Sequence, residues 1–151
     1  MILKIWRGQG GMASLSALIV LCIIGMTALY FCRIAAEQAD SILSYKESMA
    51  AKNFAISRAE YLTDAYRRDL ERWQGDCEKA YRAYSFDNAL LVDESKSYSD
   101  FGEMTSYAHL MRHGDDLYIL SVSAESGSAS GQVRLYLKQE GGDVVVQRWE
   151  R

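Results

Sequence analysis

The stretch that decides the fold is Gly8–Cys32, GQGGMASLSALIVLCIIGMTALYFC. No residue in it carries a charge, and its centre, Leu18-Ile19-Val20-Leu21-Cys22-Ile23-Ile24, is strongly apolar. A run of this length exceeds the ~20 residues that take a helix across a hydrocarbon core. Lipid offers backbone groups no hydrogen-bond partner, so a lone crossing segment must satisfy them itself, as a helix. Lys4 and Arg7 precede the run, whereas Arg33 beyond it is soon followed by Glu37 and Asp40. Basic residues gather on the cytoplasmic side of a span, which predicts a cytoplasmic N-terminus and an exported remainder. A cleaved secretory signal would have a shorter apolar region ending at a small-residue site. Here the apolar region is longer, and helical sequence continues past it.

The whole chain has 151 residues, room for one domain once the apolar segment is set aside. Its net charge of −3, its pI of about 5.4 and its scattered Lys and Arg leave no nucleic-acid footprint. There is no proline, so a long helix can run without the kink a missing N–H would impose. Cys22, Cys32 and Cys77 show neither a disulfide framework nor zinc spacing and read as small apolar side chains. A continuous helix would hold Cys32 and Cys77 roughly 65 Å apart, too far for a bridge.

A helical rhythm continues beyond Arg33. Ala55, Ala59, Leu62, Tyr66, Leu70 and Trp73 recur at three- and four-residue steps, with charges on the other faces. Asp64–Arg68 and Arg67–Glu71 are spaced for i,i+4 ion pairs. Gly75-Asp76 is expected to end or bend this helix, with Asp76 capping a short second one through Tyr84. From Ser85 to Glu103 the pattern fades, and a connecting loop is expected, with a short turn or strand at Ala89–Val92. After Met104 the period becomes two, giving candidate strands Thr105–Arg112, Leu117–Ala124, Gln132–Lys138 and Asp143–Trp149. His113–Asp116 and Gly141-Gly142 read as their turns. Tyr118, Leu120 and Val122 would share one face with Val133, Leu135 and Leu137. An uncovered meander is marginal in water, and the apolar stripe around Leu62–Trp73 is the only cover left. The expected fold class is therefore α+β: a long N-terminal helix, transmembrane then amphipathic, packed against a small C-terminal antiparallel sheet.

The N-terminus MILKIWRGQGG followed by MASLSALIVLCIIGMTAL resembles a type IV prepilin leader. In that family a short basic leader ending in Gly is removed on the cytoplasmic side, and the new N-terminus is methylated. The resemblance implies cleavage after Gly11 and N-methylation of Met12 by a prepilin peptidase. Ser16 stands where most major pilins carry Glu, and the family's usual proline in the first helix is missing. Subunits lacking that Glu are typical of minor, tip-located pilins and pseudopilins. The small-residue segment Ala51–Glu60 and the closing hairpin Leu117–Ala124/Val133–Leu137 resemble PilX-like minor pilins. The resemblance divides the chain into a leader (1–11), the transmembrane part of the helix (12–33), an exported amphipathic helix (34–84) and a connecting loop with a β-meander (85–151). It implies a minor pilin or pseudopilin in the inner membrane, its C-terminal domain periplasmic or extracellular. Its partners would be other pilins through the N-terminal helix, prepilin peptidase and membrane lipid.

Few residues suggest chemistry. His109 and His113 are four apart but fall on a strand and its end, so they are not expected to share a metal. Asp93-Glu94 and Asp115-Asp116 lack the spaced oxygens of a calcium loop and read as solvated turns. Ser121–Gly131 is expected to form a flexible hairpin loop, and the tyrosines to pack in the core or between helix and sheet. No catalytic residue, cofactor or metal is expected. The rival reading is a single-pass anchor tethering an exported sheet domain that binds or senses a ligand.

Overall fold

A proline-free sequence that is apolar to Cys32 and striped thereafter forms one helix, α1, over Trp6–Arg68. The computed structural model describes residues 6–84 and 89–150, with side chains from 14 to 83 and from 89 to 150. The chain divides into two units, Met1–Leu43 and Ser44–Arg151. Within the first, Thr27 returns its hydroxyl to the carbonyls of Ile23 and Ile24 at 3.0 and 2.8 Å, so its polar group is satisfied within the apolar run. Polar sequence opens with the Arg33–Glu37 pair at 2.9 Å.

In the second unit, helix α2 covers Leu70–Tyr84 and a five-stranded antiparallel sheet follows in the order β1-β2-β3-β4-β5. The strands are β1 (Leu90–Ser99), β2 (Gly102–Arg112), β3 (Leu117–Ser126), β4 (Ala129–Glu140) and β5 (Asp143–Glu150). The α+β expectation holds: the stripe of the long helix covers one face of the sheet. Ala51, Ala55, Ala59, Leu62 and Tyr66 are all buried, and α2 continues the stripe with Trp73, Cys77 and Ala80. Beneath them the cross-strand pairs Leu120↔Leu135 and Val122↔Val133 lie on the shared face read from the alternation. One cross-sheet row, Ser95–Ser106–Ala124–Gly131, is entirely small. The row Leu90–Leu110–Leu120–Leu135–Trp149 is entirely large. The small row lets α1 approach until the Gly131 backbone meets the backbone of Ala51 and Lys52. Leu110, Leu120 and Leu135 of the large row are fully buried.

Four expectations are corrected. The helix breaks at Asp69, not at Gly75-Asp76. The Asp69 carboxylate accepts the Arg72 amide at 2.9 Å, an N-cap for α2, while Asp69 N still reaches the Ala65 carbonyl at 3.0 Å. Gly75 costs α2 only about 1 kcal/mol relative to Ala, too little to end it. Asp76 is not a cap, because its carboxylate accepts the Tyr66 hydroxyl at 3.1 Å and faces Lys79. Second, most of the expected connecting loop is strand β1. Its inward positions include Asp93, Ser95 and Ser97, paired with Ala108, Ser106 and Met104, so no apolar alternation marks it. Third, the Ser121–Gly131 loop is strand nearly throughout, turning only at Gly127-Ser128. Small side chains suited the helix approach there, and their composition imitated a loop. Fourth, of the tyrosines whose side chains are described only Tyr66 is fully buried, and Tyr61, Tyr81 and Tyr98 are more than half exposed.

Both predicted turns form. His113 N and Gly114 N donate to the Leu117 carbonyl at 2.8 and 3.3 Å. Gly141 and Gly142 take φ of 60° and 87°, the left-handed pair a two-residue hairpin needs.

Candidate functional site: a bare apolar helix and an aromatic cleft

Leu18, Leu21, Ile24, Met26, Leu29 and Phe31 are each more than half exposed, and they point around the whole circumference of α1. A soluble amphipathic helix hides one stripe and wets the rest, whereas this one is apolar all round. Its most apolar window has a mean hydropathy of 2.4, and none of it is buried. Leu, Ile, Phe and Val each favour insertion by roughly 0.3–0.6 kcal/mol at mid-membrane, so the run as a whole strongly prefers lipid to water. Tyr30 and Phe31, edge to face at 6.3 Å, stand at its far end, where aromatic side chains suit the membrane–water boundary. Among the described residues this is the one helix long and apolar enough to cross a membrane, and it lies near the N-terminus.

Gly11 and Met12 fall inside α1, and the surroundings of both lie outside what the structure describes. Ser16 is exposed on the apolar helix. Cys22 and Cys32 are exposed there too, Cys77 is buried in the second unit, and all three are free thiols.

The second unit carries a cleft of about 590 Å³ between α2 and the ends of β3 and β4. Helix spacing puts Trp73, Gln74, Cys77, Glu78 and Tyr81 on the α2 side of it. Opposite them are Asp116, Tyr118, Gln139 and the Gly141-Gly142 turn. The floor is rigid. Trp73 meets Tyr66 edge to face at 5.2 Å and Tyr118 at 5.5 Å, which joins α1, α2 and β3. Burial pushes the Cys77 thiol up to about 12, against a smaller lowering by its hydrogen bond with Tyr118. Burial likewise raises the Tyr118 phenol. Tyr66 is raised by burial and then by the Asp76 carboxylate it touches, with Arg72 opposing. At neutral pH all three are protonated, and Cys77 is a packing group rather than a nucleophile.

Comparison with family models, with curated proteins and with solved structures finds no match for this chain.

The histidines do not meet. His109 is half-buried on the uncovered sheet face beside Ser121, whereas His113 is exposed with its ring 5.5 Å from Tyr136. No group of three metal-ligating side chains occurs among the described residues. The acidic pairs are also split. Asp93 bonds Arg58 at 2.6 Å, and Asp115 bonds Arg112 at 2.8 Å. The cleft itself had one faint signal in the sequence, the His113–Asp116 turn, because Asp tolerates the left-handed backbone that Asp116 adopts at φ 61°.

Proposed function

We propose that this protein is a minor pilin or pseudopilin subunit. It is cut after Gly11, methylated at Met12, and assembles through its apolar helix into a type IV pilus or a secretion or DNA-uptake pseudopilus. The observation that carries the reading is α1. Its bare apolar circumference follows a basic, glycine-ended stretch of sequence and continues, as the same helix, into the stripe that covers the sheet. Such a helix is at home in two places, a bilayer and a bundle of its own kind, which is what a subunit moving from membrane to filament requires. Ser16 supports a minor, tip-placed role. A subunit with no neighbour ahead of it has no N-terminal amine to neutralise, and an unpaired carboxylate in an apolar core is costly. In this reading Lys4 and Arg7 hold the leader in the cytoplasm, the sheet lies outside the inner membrane, and no reaction is catalysed. The test is the intact mass of the protein from cells that contain a prepilin peptidase. Loss of Met1–Gly11 with one added methyl group is expected, and a mature species that retains the leader overturns the processing.

The cleft favours one rival, an anchored binding module. That protein would keep its leader, tolerate Gly11→Ala and work on an unrelated membrane anchor, whereas the filament subunit fails on each count.

A further inference from the structure

We propose that the cleft between α2 and the β3–β4 ends binds an alkylammonium group, the side chain of a lysine presented by a partner polypeptide. The lining contains Glu78 and Asp116 but no Lys, Arg or His, so the field inside favours a cation. Three aromatic residues, Trp73, Tyr81 and Tyr118, line the same space, and ring faces attract a cation by ~0.5–2 kcal/mol. One such contact is already made at the rim, where the Arg112 guanidinium lies 4.6 Å above the Tyr81 ring. Arg112 is itself occupied, donating to the Gly114 carbonyl at 3.0 Å and pairing with Asp115.

The two adjacent aspartates therefore have different duties. Asp115 pairs with Arg112 from a fully exposed position, whereas Asp116 has no hydrogen bond or ion pair among the described residues. It is also the one non-glycine among them with a positive φ. A backbone conformation of this kind is strained for a residue with a β-carbon, and here it places a carboxylate on the cleft wall. Glu78 is tied to Arg82 only in a solvent-exposed pair, which is weak and easily exchanged. The acids come from different elements, α2 and the β2–β3 turn. They flank a compact point charge from two sides rather than forming the planar fork a guanidinium takes up. A lysine also brings an apolar stem for the aromatic walls. The volume lies within the range of small-ligand sites.

The test uses the full-length protein in detergent micelles at low ionic strength, followed by calorimetric titration and saturation-transfer NMR. Three probes are compared: Nα-acetyl-lysine methylamide, the uncharged Nα-acetyl-norleucine methylamide, and cadaverine as a free diamine. The lysine amide is expected to bind, and the norleucine amide at least tenfold more weakly. Asp116→Asn, which tolerates the same left-handed backbone, is expected to weaken the lysine amide about tenfold with an unchanged near-ultraviolet spectrum. Equal binding of the two amides, or wild-type binding by Asp116→Asn, overturns the proposal. Binding of cadaverine without the lysine amide overturns the polypeptide source.

Discussion

A β-carbon on Gly131 would stand 2.5 Å from the Cα of Lys52, so strand β4 touches the backbone of helix α1 with nothing between. The contact needs small residues on both sides, and Ala51, Ala124 and Ser106 supply them. Gly131→Ala would force helix and sheet apart, and since backbone stands on both sides no rotamer relieves it. Such overpacking costs about 1–3 kcal/mol. Urea unfolding followed by aromatic fluorescence should show the midpoint fall by that amount, with Gly127→Ala as a comparison whose strain is local to its turn.

Arg58 and Asp93 join α1 to the edge strand β1 at 2.6 Å, each about one-fifth exposed. Exposed pairs contribute less than about 1 kcal/mol, and breaking a fully buried one costs about 3–5. This pair lies between, and either Arg58→Ala or Asp93→Ala should lose about 1–2 kcal/mol. The Arg58→Ala/Asp93→Ala double variant should lose clearly less than the sum of the two. Hydrogen exchange should accelerate in β1 before the other strands, because the lost pair anchors β1 and that edge strand has a neighbour on one side only.

The Cys77 thiol, raised to about 12 when folded, sets a pH dependence. An unfolded thiol ionises near pH 8.5, so above that the unfolded state binds fewer protons than the native one. Stability is therefore full below about pH 8.5 and falls as pH rises toward 12. Tyr66 and Tyr118 shift in the same direction and steepen the loss above pH 10. Cys77→Ala should flatten the part that begins near pH 8.5. In a Cys22→Ser/Cys32→Ser background, iodoacetamide at pH 7.5 should label Cys77 only on unfolding.

Leu21 is 66% exposed in the middle of the apolar run. Placing arginine at such a depth costs about 2.5–3.5 kcal/mol on insertion scales. Leu21→Arg should move the protein from the membrane pellet toward the supernatant after alkaline carbonate extraction. Leu21→Ile should remain in the pellet.

Much of the architecture can be read before folding, and where reading fails the cause is specific. Val122 and Val133 were assignable to one face because burial against a helix leaves a two-residue alternation. Gly141-Gly142 announced its turn because only glycine takes two left-handed positions freely. Strand β1 left no such mark. Leu90 and Val92 pack on the core, but from there on its inward residues are Asp93, Ser95 and Ser97, held by ladder hydrogen bonds to β2 and one ion pair. The break at Asp69 was masked because Leu70 and Trp73 keep the apolar rhythm of the helix before it. Beyond the His113–Asp116 turn the cleft was hidden, since Trp73 is distant in sequence from Asp116 and Tyr118 and meets them only when α2 lies across the sheet.

The amino-acid sequence by itself determined that a charge-free helix near the N-terminus can enter lipid, and that an alternating C-terminal half needs one face covered. Both follow from where apolar side chains recur along the chain, a property each segment carries alone. Tertiary structure decided the extent of strand β1, the site of the helix break, the contact of Gly131 with Lys52 and the acidic aromatic cleft. These depend on distances between segments, and no local period records a distance.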